Sequence, residues 1–590
     1  MDNRSVAGIW SILGRVLGEF IRNKRVVTVL LVLSLFAAAF DVSIPIINQK
    51  LIDALVNSLV SGEEFTSWHL AIIAASILVA TLIGRSLTNA YGYRLFQEVT
   101  KIEDRFRDRA YAKYLNLDTY YHHSNSSGQI IGRIDRGAVG LYAILHDIVG
   151  QSLVVPAIYF VVILTILVFK DPFIALLVVL PLPTYLFLVR SWSRQVYEID
   201  RRAHDQFELA GREQYDVASN VMTVKRFTQE NREALSQQDM RSAAREIQYG
   251  AEKLWNRMDM LQATLAAAGR VVVLFFAGSL VMRGEITIGE LTLFLSLQSM
   301  VYAPMFQLSV LFPRLRRNIA RAERLFQVID EPIEILDSPG AQELSPLSHE
   351  VIFQNVWFRY HNESPLVLKG IDLKIEKGKV VALVGRSGSG KSTAVNLLVR
   401  AYEPTSGAIL IDGHDIKGVT QKSLRRQIAT VSQEVELLGR SVKENIRYGR
   451  PDATDLEVEE AARVALAHEF IEKLEEGYDT IVGERGLKLS GGQRQRVSIA
   501  RAILRNPMVL ILDEALSQLD TLSERLVQEA TDRVMAGRTV IIIAHRLSTV
   551  MRADQIVVFD HGDIEAVGKH EELLSKSLIY KRLYELQFAS

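Results

Sequence analysis

The chain changes hydrophobic rhythm near residue 325. Before that point, long apolar runs alternate with long charged segments. After residue 350, the apolar runs shrink to strand length. Residues 148–169 are 22 positions without a charge; 291–312 are another 22, interrupted only by Pro304; 173–189 is a run of 17 with Pro181 and Pro183 inside it. A helix needs about 20 residues to cross a bilayer, so each run predicts a membrane span. Residues 26–40 begin another, continuing past Asp41 to about Asn48. Residues 68–93 and 258–282 are longer runs broken by Arg85 and Arg270. The pattern predicts six spans.

An even number of spans puts both ends of the membrane region on one side. Arg22, Lys24 and Arg25 precede the first span, and Arg94, Lys101, Arg105, Arg107 and Arg109 follow the second. The opposite loops, 61–67, 170–172 and 283–285, are short and poor in Lys and Arg. The excess of positive residues predicts cytoplasmic termini. The segments after spans 2 and 4 are long, charged and helix-compatible, so the span helices extend into the cytoplasm. Their turns, near 115–125 and 211–220, are the expected levers toward the second half. Ahead of span 1, apolar residues at 9, 10, 12, 13, 16, 17, 20 and 21 form a helical stripe beside basic residues. That stripe fits a helix lying in the membrane interface or an ordinary amphipathic helix packed on protein.

Residues 326–350 carry three prolines and several acids and read as a linker. From Val351 onward strands alternate with helices, as in an α/β domain. The expected architecture is multidomain: a six-helix all-α transmembrane domain with long cytoplasmic extensions (1–325), the linker, and an α/β domain (351–590), which the glycine-rich loop VVALVGRSGSGKST at 380–393 marks as a P-loop ATPase domain. Lys plus Arg and Asp plus Glu are both 68, so net charge gives no sign of nucleic-acid binding. There is no cysteine, which excludes disulfides, thiolate metal sites and a cysteine nucleophile. The apolar residues nearest the N-terminus are interspersed with Arg15, Glu19 and Arg22, unlike a signal peptide.

The candidate chemistry lies in VVALVGRSGSGKST, 380–393. An apolar strand enters Gly385, passes Ser387, Gly388 and Gly390, reaches Lys391, Ser392 and Thr393, and a helical pattern follows. The glycines let backbone N–H groups turn toward phosphates at the positive end of a helix. Lys391 can reach the β- and γ-phosphates, and the Ser392 hydroxyl can hold Mg²⁺. Further on, the apolar run MVLIL ends in Asp513 and Glu514. The first can hold magnesium through water; the second can orient or deprotonate an attacking water. His545 follows another apolar strand, TVIIIA.

LSGGQRQRVSIARAILRNPMVLILDEALSQLD, 489–520, resembles the signature-to-D-loop block of the ATP-binding cassette (ABC) family, in the form of exporters whose membrane and nucleotide domains share one chain. The resemblance extends over nearly the whole length, also through GEITIGELTLFL and NVMTVKRFTQE. It implies that Tyr360 stacks on adenine and that Gln433 touches magnesium and senses the γ-phosphate, with Ser392 and Asp513 completing the metal set. Glu514 and His545 would be catalytic. The segment 480–486, with Glu484, would contact the membrane domain, and Asp520 would lie in the D-loop. The D-loop departs from the family pattern at Gln518, where alanine is usual, and Leu438 stands where an aromatic is common. Leu489, Ser490, Gly491, Gly492 and Gln493 would close over ATP held by a second nucleotide domain, using N–H groups at a helix N-terminus.

The implied protein binds ATP and Mg²⁺ and works as a homodimer, or as a heterodimer, in a bacterial inner membrane. It exports or flips a hydrophobic or amphipathic substrate (lipid, lipid-linked glycan, drug or peptide) by alternating access. A nucleotide-gated channel or a transporter-like regulator is the rival; the presence of both Glu514 and His545 favours turnover. Asp41, Arg85 and Arg270 are ionisable residues within apolar segments, which mark them as candidates for the substrate cavity; Arg85, late in an outward-to-inward span, alternatively snorkels to the inner headgroups.

Overall fold

The computed structural model describes residues 3–61, 65–361, 363–432, 435–513, 521–544 and 550–588. Gln433, Glu514, Asp520 and His545 lie outside the described residues. Packing divides the chain into two units: Met1–Leu117 with Asn125–Pro332, and Asp118–Ser124 with Ile333–Ser590.

The helices run α1 (Asn3–Arg22), α2 (Lys24–Ser61), α3 (Ser67–Leu115), α4 (Thr119–Ser124), α5 (Ser127–Tyr142), a π-helical stretch (Ala143–Val154), α6 (Val155–Lys170), α7 (Pro172–Val179), α8 (Pro181–Ser219), α9 (Val221–Arg226), α10 (Glu230–Met282) and α11 (Ile288–Asp330). All but α4 belong to the first unit. Among the described residues, five tracts are long and apolar enough to cross a membrane: Lys24–Val60, Ser67–Leu115, Ser127–Lys170, Pro172–Val189 and Glu230–Met282. The sixth apolar run of the sequence falls within α11. Leu31, Leu35, Phe36, Leu78, Leu82, Val271 and Phe275 are exposed along these tracts. An apolar surface of that extent suits hydrocarbon rather than water. Inside, Val42, Ile163, Ile174, Val178, Val273, Phe294 and Leu297 form one buried cluster.

Local chemistry sets the breaks. The Asp171 carboxylate accepts the N–H groups of Phe173 (2.8 Å) and Ile174 (3.1 Å), and Pro172 takes the first helical position. Pro181, which cannot donate into a continuing helix, separates α7 from α8 within the fourth expected span. At the start of α11 the Gly289 N–H donates to Asp53 (3.0 Å). A Cβ at Gly289 would stand 2.4 Å from the Gln49 carbonyl, so glycine alone lets α11 begin this close to α2. In the π-helical stretch the turns widen, and the Tyr91 hydroxyl donates to the Gly150 carbonyl at 2.7 Å.

Two expectations move. The turn expected near 211–220 starts only at the end of that range: α8 continues to Ser219, and the chain reverses through Asn220, α9 and Gln229. Thr228, with φ +54°, supplies the left-handed step that a regular helix cannot contain. The linker expected from 326 begins later, because α11 runs to Asp330. Phe326 is buried against Phe106, their ring centroids 5.5 Å apart, and the Arg15 guanidinium lies 4.0 Å from its ring centre. Arg15 also pairs with Asp330 at 2.5 Å. These contacts, with Ile12 and Val16 buried, show that one side of α1 packs on protein.

The second unit contains β1 (Glu350–Phe358), β2 (Leu368–Glu376), β3 (Val380–Gly385), α12 (Lys391–Leu398), β4 (Ser406–Ile411), β5 (His414–Asp415), α13 (Gln421–Gln427), β6 (Ile428–Val431), α14 (Val442–Arg447), α15 (Asp455–Val464), α16 (His468–Glu472), α17 (Gly491–Arg505), β7 (Val509–Asp513), α18 (Thr521–Met535), β8 (Thr539–Ile543), β9 (Gln555–Asp560), β10 (Asp563–Gly568), α19 (His570–Lys576) and α20 (Leu578–Phe588). A six-stranded sheet has the order β10-β9-β3-β8-β7-β6, parallel except for the β10 edge. Its inner strands are apolar on both faces, as a sheet covered on both sides requires. One face packs with Val497 and Ala500 of α17, the other with the antiparallel sheet β2-β1-β4-β5 and with α12.

The segment after α11 is fastened to this second unit. Arg400, fully buried, donates to the carbonyls of Leu336 (2.9 Å) and Val419 (3.0 Å) and to Glu403 (3.0 Å). Gln421 donates to the Ile335 carbonyl at 3.0 Å. The Asp118 carboxylate, just ahead of α4, accepts the N–H groups of Glu334 (2.7 Å) and Ile335 (3.3 Å). Hydrogen bonds to a charged acceptor contribute about 1.5–3 kcal/mol each, net of the water contacts they replace. Asp118→Ala is therefore expected to raise protease cleavage within 333–347 about tenfold, since local opening governs such cutting. An unchanged cleavage rate in the full-length protein would show that Arg400 and Gln421 hold the segment without it.

Candidate functional site

The phosphate-binding candidate forms at the carboxyl end of β3, between β8 and β9, where open parallel sheets place their ligands. Gly385 leaves the strand with φ +148°, and a Cβ there would lie 2.2 Å from the Phe559 carbonyl. Gly390 has φ +107°, and a Cβ on it would meet Leu368 at 2.6 Å. The loop is thus pressed against β9 and β2 and turned so that α12 starts at Lys391. Lys391 is buried, and its ammonium donates to the carbonyls of Gly385 (3.0 Å) and Arg386 (2.9 Å). Burial pushes its pKa below the ordinary lysine value, and the nearby Asp513 carboxylate opposes that shift. Ser387, Gly388 and Ser392 are exposed at the same mouth. Asp513 ends β7, in register with Ile543 of β8.

This arrangement fits a nucleoside triphosphate. A helix N-terminus, a lysine and an exposed hydroxyl converge on one side, with a carboxylate at the next strand end but one. Lys391 would hold the β- and γ-phosphates; Ser392 and Asp513 would hold a divalent cation. Among the described residues no cluster of three or more metal-ligating side chains exists.

Tyr360 is exposed and follows β1. Its hydroxyl lies 3.0 Å from the Thr393 hydroxyl, and its ring meets the edges of Phe358 (4.9 Å) and Tyr402 (5.2 Å). The aromatic expected to stack on adenine is thereby tied to the P-loop helix. Its neighbour His361 meets Tyr120 of α4, ring centroids 4.8 Å apart. The sequence pointed to a lever at 115–125 but not to Asp118 or Tyr120, whose partners lie more than 200 residues away.

The signature segment builds the start of α17. Leu489 is buried as an anchor. The Ser490 hydroxyl accepts the Gln493 N–H (3.3 Å), and the Gln493 side chain accepts the Ser490 N–H (2.8 Å), a reciprocal cap. Ser490 is exposed, Gly491 partly so, and Gly492 buried. Glu484 is exposed and opens a tight turn in which Arg485 has φ +50°.

Of the membrane candidates, Asp41 accepts a hydrogen bond from Tyr159 at 2.5 Å. Arg85 and Arg270 are exposed on α3 and α10, and neither forms an ion pair with Asp41. The structure does not bring the three charges together. Tyr159 was not singled out from the sequence; the one signal was a phenol inside an otherwise uncharged run.

A membrane region and a P-loop ATPase with a capped LSGGQ helix, on one chain, define an ABC transporter. The family model for the ABC transporter transmembrane region matches residues 27–305, and the one described as ABC transporter matches 368–517. The chain belongs to this family. It is 35% identical over 556 residues to a "Putative multidrug export ATP-binding/permease protein" of Staphylococcus aureus (strain NCTC 8325 / PS 47), covering 92% of this chain and 94% of that one. A protein of the same name from the bovine strain RF122 / ET3-1 is 35% identical over 554 residues, with the same coverage. Among solved structures, a bacterial Atm1-family ABC exporter with ATP bound superimposes with a TM-score of 0.84 at 29% identity, over 95% of this chain and 99% of that one. The protein is an integral membrane ABC exporter that binds ATP and couples its hydrolysis to transport.

Proposed function

We propose that the chain is one half of a homodimeric exporter that moves a hydrophobic or amphipathic compound out of the cytoplasm or the inner leaflet by alternating access. The observation that carries this reading is the phosphate-binding loop after β3, with Lys391 at its helix start and Asp513 ending β7, on the same chain as the long apolar helices. In this reading Lys391, Ser392, Thr393 and the glycines of the loop hold ATP, and Tyr360 stacks on its base. Ser392, Gln433 and Asp513 hold Mg²⁺. Glu514 and His545 act on the attacking water, the Leu489–Gln493 segment closes over the ATP of the second copy, and Asp520 belongs to the D-loop. Both termini lie in the cytoplasm, and the membrane is a bacterial inner membrane.

Asp41, Arg85 and Arg270 are assigned to the side of the helices that faces the cargo. A charge near the bilayer centre costs about 2.5–3.5 kcal/mol even on lenient scales, so it is retained where it meets a partner or a cavity. The test is transport into sealed vesicles with the ATPase side outward, across a panel of fluorescent lipids, glycolipids, peptides and drugs. Uphill accumulation that needs ATP and is lost in Lys391→Ala is expected for at least one compound class. Passive flux opened by ATP without accumulation would instead establish a gated channel.

A further inference from the structure

Asp41 stands about 25 Å along α2 from Lys24, at 1.5 Å per residue, well inside the apolar tract. Its surroundings come from three helices. From α6, the Tyr159 hydroxyl donates to one carboxylate oxygen at 2.5 Å. From α3, Gly84 is buried, and a Cβ on it would lie 2.5 Å from the other carboxylate oxygen. The missing side chain at Gly84 is what admits the carboxylate. One turn on, the Thr88 hydroxyl donates to the Gly84 carbonyl at 3.0 Å and lies within hydrogen-bond reach of the Tyr159 hydroxyl. On α2 itself the next residue, Val42, is fully buried in the apolar cluster.

A carboxylate has about four acceptor positions. Among the described residues Asp41 uses one, with Tyr159, and it has no ion-pair partner. Arg85 directly follows Gly84 but forms no ion pair with it. A carboxylate held in place by a phenol, seated in a glycine notch and lacking a counter-charge inside a span is an acceptor awaiting a positive group. We infer that Asp41, with Tyr159 and Gly84, is a recognition point for the positively charged centre of an amphipathic cargo. This inference rests on the exporter reading and narrows its substrate class. The shared chemistry is a cation on an apolar body, whether a free organic cation or the ammonium headgroup of a lipid.

Three probes of nearly one shape separate charge from hydrophobicity: tetraphenylphosphonium, neutral tetraphenylsilane and tetraphenylborate. Binding is measured on the full-length protein in nanodiscs of phosphatidylglycerol. The wild type should bind the phosphonium saturably and in preference to the other two. Asp41→Asn should weaken phosphonium binding about tenfold or more, the scale of a lost charge–charge attraction in a partly desolvated site, and leave silane binding nearly unchanged. Asp41→Glu should restore part of the preference. Tyr159→Phe, which keeps the ring and frees the carboxylate, should weaken it less. Adding phosphatidylethanolamine then distinguishes the sources. Displacement of the phosphonium identifies a lipid ammonium as the cargo group, and its persistence identifies a free cation.

Equal binding of phosphonium and borate by the wild type would overturn the inference. So would an Asp41→Asn protein that still binds ATP and keeps the wild-type preference. ATP-driven accumulation of neutral compounds in either case would leave the exporter reading standing. Absence of uphill transport for every compound would remove that reading instead.

Discussion

Glu514→Gln should leave a protein that binds ATP, closes as a dimer and turns over about 100-fold to 1,000-fold more slowly. The amide keeps the shape and most hydrogen bonds of the carboxylate but not the charge that draws a proton from water. General-base groups contribute factors of about 10²–10⁴, so an effect of this size is the expected one. Two readouts separate the role from a structural one. Binding of a fluorescent ATP analogue should remain within about threefold of the wild type, since differential stabilisation of the transition state, not ground-state binding, is lost. Steady-state phosphate release should collapse. Near-normal turnover would remove Glu514 from its assigned role and leave Asp513, at the end of β7, as the acid to examine.

Ser387→Cys combined with Ser490→Cys should give a covalent dimer on oxidation in the presence of ATP and Glu514→Gln, and each single substitution much less. Both serines are exposed, one on the loop after β3 and one capping α17. A disulfide needs Cα atoms within roughly 7 Å, so the band on a non-reducing gel reports real proximity. The absence of native cysteine leaves no other thiol to confuse it. Two copies facing head to tail would make the contact twice, once at each ATP. The Ser490 substitution also removes a helix cap, at a cost of about 1 kcal/mol; a Ser490→Thr control keeps the cap and should keep ATPase activity. Efficient linkage within a single chain would mean that LSGGQ serves its own nucleotide.

Features with local causes were readable before the fold was seen. The P-loop was legible because an apolar strand, positive-φ glycines and a helix start must follow one another in sequence. Asp41 was legible because a carboxylate in an apolar run is costly wherever it sits. What could not be read had a distant or a geometric cause. Tyr159 lies 118 residues from Asp41, and no periodicity marks which tyrosine will reach a given acid. The end of α8 was misplaced because residues 211–219 are as helix-compatible as those before them. The reversal begins at Asn220 and is completed by the left-handed step at Thr228, a residue with no turn preference of its own. The π-helical stretch at 143–154 had no marker either, since its widened turns depend on packing such as the Tyr91–Gly150 bond.

The fastening of α4 by Asp118 to the segment at 334–335 has a practical consequence for exchange between relatives. Seven residues from the first third of the chain, 118–124, fold as part of the ATPase half. A chimera joined at the linker would give the new ATPase a foreign α4, with Tyr120 facing a different residue in place of His361. The unit that recombines intact is discontinuous: it is 333–590 together with 118–124. Hybrids that carry both pieces should assemble and turn over, and those that carry only the long piece should accumulate as folded but poorly coupled proteins.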